Sequence, residues 1–389
     1  MIGIILGILS LSIIILIHEF GHFIFAKLFG VGVLEFSLGM GPRILSFVKG
    51  NTRYSWKAIP LGGSCAMLGE DSAGSGDFTE YGAKVDNEKG TIDFDGVIYK
   101  KDEIETKSIN NKSPLQKIII TFSGPLFNFL LAFILIIPIV AYTGADLPII
   151  GSVSENSAAS QAQPYALEAG DKIIGIQTGN DKTSINFYRE ILLFMQLHAS
   201  DFDERNDLLL ITFERDGKKL GTLLQPKYDE EYKRSLIGIT FNNEIKKPSN
   251  ISELFDFAFK EFRWNTYAVV RGLRMLVTGA VGMNDMSGPI GTVAFMGETI
   301  EAAKSYSVFS MLYAIAQLII LISINLGIMN LLPIPALDGG RILLYAIEMI
   351  TGRPIDQKVE GLVNGAGMIF LLILMALILG NDIFKLFIR

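Results

Sequence analysis

The chain has 389 residues, half of them apolar, with 40 acidic against 34 basic side chains and a single cysteine. The net charge of −6 and the absence of a basic stripe argue against nucleic acid as a partner. One thiol, Cys65, excludes an internal disulfide and a thiolate metal cage.

The apolar residues fall in blocks too long for ordinary soluble cores. About 20 apolar residues cross a hydrocarbon layer roughly 30 Å thick. Four stretches qualify, about 2–29, 117–143, 307–331 and 361–380, the last running on towards Leu386. The first lacks a basic leader and a small-residue cleavage site, so it reads as a retained span and not a signal peptide.

Within that first span, "IIILIHEFGHFIFAK" (13–27) sets His18, Glu19 and His22 at lipid depth. Ionisable groups there are expensive and normally face a protein interior or a water-filled cavity. On a helix, positions i and i+4 project from one face, so His18 and His22 can hold one metal ion between them. H-E-x-x-H adds a glutamate able to take a proton from water activated by that ion. Two imidazoles leave such a site short of a third protein ligand.

Lys27, Arg43, Lys49 and Arg53 follow the first span, and Lys112 and Lys117 flank the start of the second. Arg341, Arg353 and Lys358 lie between the third and fourth. The positive-inside rule makes these loops cytoplasmic and puts both termini and residues 144–305 outside. In the loop 30–116, "SLGMGPRILSFVKGNTRYSWKAIPLGGSCAMLGED" mixes alternating apolar residues with Gly62, Gly63 and Gly69. That composition suits β-hairpins lying against or dipping into the membrane face, or an ordinary surface hairpin. Residues 80–112 are charged and turn-rich, with "TIDFDGVIYKKDEIE" expected as a small surface strand pair.

Residues 146–241 read as a separate α+β domain, with a tight turn at Gly170-Asp171, a helix around 186–199 and a hairpin turning at Asp216-Gly217. The order and the "AGDKIIGI" turn resemble PDZ domains in their permuted bacterial form, which take up an extended peptide beside a sheet edge. A small α/β spacer is the alternative, and nothing in the residues gives a ligand specificity. His198, the third histidine, falls here and reads as a surface residue. In the connector 250–305, residues 250–285 are amphipathic with Lys260, Arg263, Arg271 and Arg274 interleaved, suiting a membrane-surface helix or one packed on the outer domain. The following "MSGPIGTVAFMG" reads as a turn or broken helix.

In "NLGIMNLLPIPALDGGRI" (325–342), Pro333 and Pro335 cannot continue a helix. The third span (307–332) is expected to break near Leu332 and to restart after Asp338, where Gly339-Gly340 permit close backbone approach. Asp338 reads as the one other acid at membrane depth and as the third metal ligand, a role compatible with capping a helix. Residues 333–360 are then a broken segment and a cytoplasmic helix, and 361–386 the fourth span.

"HEFGH", "IPLGG", "SGPLFNFLLA" and "NLLPIPALDGG", in that order, resemble the site-2 protease family of intramembrane zinc metalloproteases, peptidase family M50, and most of all its RseP/RasP group. The resemblance implies a polytopic α-helical membrane protein with four transmembrane helices, a membrane-associated β-hairpin region and one extracytoplasmic PDZ domain. It implies Zn2+ held by His18, His22 and Asp338, with Glu19 as base. The family's asparagine eight residues before the aspartate, which holds substrate backbone, falls on Asn330. Asn325 and the hairpin glycines Gly62 and Gly63 are further candidates for substrate binding. The implied activity is cleavage of transmembrane segments of other proteins in the bacterial cell membrane, such as anti-sigma factors or remnant signal peptides. One PDZ domain, where Gram-negative members carry two, is more like Gram-positive members, and the charged insert has no family role. A non-proteolytic PDZ-bearing scaffold is the rival reading, but it has no need of Glu19.

Overall fold

A computed structural model describes residues 2–70, 83–87, 89–203, 207–232, 234–242, 245–277 and 288–388. The chain starts with helix α1 (Ile2–Leu28), strands β1 (Val33–Val48) and β2 (Arg53–Met67), then β3 (Ala83–Asp86), β4 (Thr91–Phe94), β5 (Val97–Lys100) and helix α2 (Lys101–Lys107). Helix α3 (Pro114–Thr143) leads to β6 (Ala145–Asp146), β7 (Ile150–Val153), β8 (Lys172–Thr178), β9 (Asp181–Ser184), α4 (Tyr188–Leu197) and α5 (Ala199–Asp203). Short strands follow: β10 (Leu209–Arg215), β11 (Lys218–Leu224), β12 (Lys227–Asp229), β13 (Arg234–Leu236), β14 (Ile239–Phe241) and β15 (Ile245–Lys246). Helices α6 (Ile251–Val277), α7 (Pro289–Tyr306), α8 (Val308–Asn330), α9 (Asp338–Thr351) and α10 (Gln357–Ile388) complete the described chain. It divides into two compact units, Met1–Leu135 with Asn265–Arg389, and Ile136–Trp264.

Helices α1, α3, α8 and Lys358–Ile383 of α10 are long and apolar enough to cross a membrane. Lipid offers helices no hydrophobic reason to associate, so small residues at their contacts matter. A Cβ on Gly3 of α1 would strike the carbonyl oxygen of Gly297 in α7, so only glycine allows this approach. The segment "GPIGTVAFMG" is thus helix and not the expected turn or broken helix: Gly288 is its N-cap, Pro289 starts it, and Gly297 packs against Ile4 of α1 while Gly288 faces Ile378 and Asp382 of α10. Met286 and Ser287 of that motif lie outside the described residues.

Asp382, buried on α10, accepts the backbone N–H groups of Gly288 (3.0 Å) and Gly291 (2.9 Å). It satisfies donors that the first turn of α7 cannot pair internally. Asp338 is therefore not alone among acids in an apolar setting; "LILGNDIF" hides a second one.

Strands β1 and β2 do not form a simple hairpin. Residues 33–38 pair with 63–67 and, on their other side, with 53–56, which pair in turn with 45–48. The two bent strands thus make four rungs, with Gly63–Met67 at one edge and no further strand beside it among the described residues. The charged insert braces this ribbon. β3, β4 and β5 form a three-stranded sheet, and Val97 and Tyr99 bury themselves against Leu34, Ala66 and Leu68. The strand pair expected over 91–105 is thus two strands of that sheet followed by α2, and residues 80–82 lie outside the described chain. Asp95, in the β4–β5 turn, pairs with Arg43, which also holds the buried Glu35 (2.7 Å).

The second unit is built on a four-stranded sheet in the order β11-β10-β8-β9. Ile173, Ile176, Ile211 and Phe213 from the sheet and Ile191 and Phe194 from α4 fill its core. Asp216 and Gly217 both take positive φ, the backbone that a tight hairpin between right-twisted strands requires. His198, expected at the surface, is half-buried and paired. Its Nδ1 lies 2.6 Å from Asp201 and its Nε2 3.2 Å from Asp181 at the start of β9.

Candidate active site

The mid-helix position of H-E-x-x-H places both imidazoles of α1 against α3. His18 and His22 are buried, and their Nε2 atoms lie 3.3 Å apart. Gly21 and Gly124 make this approach practicable. A Cβ on Gly21 would strike the Ser123 carbonyl, and one on Gly124 would enter both imidazoles.

Asp338 reaches the pair from the other side. Helix α8 ends at Asn330, Leu331 caps it, and the proline-containing turn leads to α9, which starts at Asp338 itself and not after it. Leu337 is the N-cap, so Asp338 is the first helical residue. Cβ atoms on Gly339 and Gly340 would collide with the carbonyls of Leu331, Leu332 and Ile334, so these glycines let α9 fold back on the turn. Ala336, in the same turn, holds a left-handed φ of 72°, a strained conformation of the kind that collects at functional sites.

Asp338 Oδ2 stands 3.2 Å from His18 Nε2 and 3.6 Å from His22 Nε2. It is buried and has no hydrogen-bond partner among the described residues. His22 Nδ1 lies 2.9 Å from the Ile120 carbonyl, which can only accept, so Nδ1 carries a proton and the neutral ring presents its lone pair at Nε2. Electron-rich atoms converging on one point repel unless a cation sits among them. Tetrahedral coordination with bonds of about 2.0–2.1 Å puts ligand atoms about 3.3 Å apart. The three observed separations, 3.2, 3.3 and 3.6 Å, match that figure without rearrangement, and two imidazoles with a carboxylate are a donor set suited to zinc.

A cavity of about 320 Å³ opens over this triangle, lined by Glu19, Gly63, Cys65, Met67, Glu70, Thr121, Asn330 and Arg341 among others. Of the substrate-binding candidates, Asn330 is here, its Nδ2 3.4 Å from His18 Nε2, and so is Gly63, beside the Glu19 side chain. Gly62 is not: its positive φ turns it towards Met40. Asn325 is exposed and absent from the lining. Five residues on a helix is a rotation of about 140°, so Asn325 and Asn330 cannot share a face.

Sequence reading missed several residues around the cavity. Arg341 is buried and pairs with Glu70, while donating to Tyr345 Oη (3.2 Å), which in turn donates to Glu360 (3.0 Å). Lys117 and Glu348 form a second buried pair at 3.1 Å, tying α3 to α9. Thr121 and Asn128, polar residues inside the apolar α3, were the legible signals.

Two histidines and a carboxylate converging on one point, with a glutamate in the same cavity, define a zinc-peptidase type of centre. The sequence profile of Peptidase family M50 matches residues 6–374, and the chain belongs to that family. A Clostridium acetobutylicum protein, named provisionally as a zinc metalloprotease, is 33% identical over 381 residues, covering 98% of this chain and 97% of that protein. A Fusobacterium nucleatum protein with the same provisional name is 32% identical over 386 residues, 98% of each chain. The zinc metalloprotease RasP of Geobacillus kaustophilus is 29% identical over 429 residues, 96% of each. The chain is a zinc metalloprotease with Zn2+ as its expected cofactor, and the four apolar helices among its described residues make it a multi-pass membrane protein.

Proposed function

We propose that this protein is an intramembrane endoprotease that hydrolyses peptide bonds in the transmembrane segments of other membrane proteins. The observation that carries the reading is the His18–His22–Asp338 triangle, set among helices apolar enough to span a bilayer and opening on the cavity that holds Glu19. His18, His22 and Asp338 would hold the ion. When bound, zinc supplies Lewis-acid polarisation of a carbonyl and lowers the pKa of water towards about 7.

Glu19 accepts the proton of the attacking water and delivers it to the leaving amine. A helical substrate shields its own carbonyls, so it must be unwound to be cut. The outer edge Gly63–Met67, which has no further strand beside it among the described residues, takes the unwound segment as an added strand, and the Asn330 amide hydrogen-bonds its backbone. The basic residues flanking the spans put the centre towards the cytoplasmic face and 146–241 outside. That outer segment, with its antiparallel sheet and its tight turn at Gly170-Asp171, acts as a PDZ-type filter that excludes substrates with bulky outer domains.

The test is Glu19→Gln in the purified full chain with a reporter transmembrane substrate in detergent. Zinc content stays at the wild-type level, while cleavage falls by about 10²–10⁴-fold, the usual weight of a general base. A variant that cleaves at the wild-type rate overturns the assignment. Deleting 146–241 should permit cleavage of substrates that still carry an outer domain; unchanged selectivity would remove the filter from the account.

A further inference from the structure

We infer that Asn128 of α3 is a positioning residue that fixes the ring orientation and tautomer of His18 through an Nδ1–H···Oδ1 hydrogen bond, leaving Nε2 to the ion. The inference rests on the reading that His18 is a ligand through Nε2. Asn128 is fully buried, and its amide faces the imidazole, with Nδ2 3.1 Å from His18 Nδ1. Its Oδ1 has no hydrogen-bond partner among the described residues. Turning the amide by half a rotation exchanges the two atoms, so the shape of the amide alone does not fix which of them faces the ring. The tautomer of His18 therefore decides between them. A ligating Nε2 must carry a lone pair, which forces the proton onto Nδ1 and demands an acceptor opposite it. Only Oδ1 provides one.

The partner histidine shows the same arrangement achieved differently: His22 gives its Nδ1–H to the Ile120 carbonyl at 2.9 Å. Both acceptors are on α3, so one helix sets both rings. Asn128 is itself held, because its backbone carbonyl accepts the Ser323 hydroxyl of α8 at 2.9 Å. Three helices thus meet at this residue, which fixes the backbone from which the amide projects. Hydrogen-bond partners of this type orient a ligand and raise its basicity, and losing one commonly weakens metal binding about 10- to 100-fold.

The test compares wild type, His18→Ala, Asn128→Leu and Asn128→Asp as full chains in detergent, titrating zinc against a chromogenic chelator. A second readout is the visible absorption of the cobalt(II)-loaded protein. Asn128→Leu removes the acceptor at similar volume and should bind zinc about 10- to 100-fold more weakly, with an altered cobalt spectrum. Asn128→Asp keeps an acceptor and should bind no more weakly than wild type. If Asn128→Leu binds like wild type, or if Asn128→Asp is as weak as Asn128→Leu, the positioning role is overturned while the ligand set stands. If His18→Ala keeps wild-type zinc affinity, the ligand assignment itself has failed.

Discussion

Asp338 and Asp171 are aspartates with buried carboxylate oxygens, one in each unit, and the protein treats them in opposite ways. Asp171 accepts Arg215 Nε and Nη2, both at 2.6 Å, and the backbone N–H of Glu168 at 2.9 Å. Asp338 Oδ2 faces two imidazole nitrogens and receives no hydrogen bond from the described residues. A buried carboxylate that is fully paired has finished its work when the chain has folded. One left facing other lone pairs is costly unless a cation completes it. The contrast separates fold from function more sharply than burial does, because Glu35, Glu70 and Glu190 are just as buried as Asp171 and each has its cation.

That contrast can be broken at either end. Removing the open carboxylate has the largest expected effect. Asp338→Ala should lose stoichiometric zinc and, with it, proteolysis, because two imidazoles alone make a weak site. Metal analysis after dialysis checks this, and a full complement of zinc in the variant would show that Asp338 is no ligand. Removing the cation from the closed carboxylate should do the reverse. Arg215→Met leaves Asp171 buried without its guanidinium, at a cost of about 3 kcal/mol to the smaller unit. Its thermal unfolding should shift down while zinc content stays the same; a loss of zinc would mean that the two sites are not independent.

The smallest effect concerns Cys65, which lines the cavity. Burial, with the negative charges of Glu19 and Glu70 adding to it, pushes its thiol well above the ordinary range. A raised pKa means less thiolate at any given pH, so alkylation by iodoacetamide should set in at a higher pH in the folded protein than in denaturant. An onset at the same pH in both would show that the wall of the cavity is open to water.

How much of this was legible in the chain depended on whether the signal was local. The His18–His22 spacing is a property of one helix, and Pro333 and Pro335 break the third helix by their own chemistry, so both could be read directly. Three features needed partners. Gly297 in "GPIGTVAFMG" looks like a turn residue until Gly3 of α1 supplies the helix it packs against. The alternation in β1 and β2 announced strands, but the back-folding that leaves Gly63–Met67 at an edge is set by bulges in the register. Asn330 falls on the family's asparagine position and Asn325 is only a further candidate; the helix rotation takes Asn325 off the face that Asn330 presents. Asn128 and Asp382 were visible as polar residues in apolar runs; the cost of placing them there was the signal.

X-ray absorption at the zinc edge of the purified full chain tests the central claim most directly. The account predicts a first shell of nitrogen and oxygen only, at about 2.0–2.1 Å, with outer scattering from two imidazole rings and no sulfur. A sulfur scatterer at about 2.3 Å, or outer scattering from fewer than two rings, would contradict it.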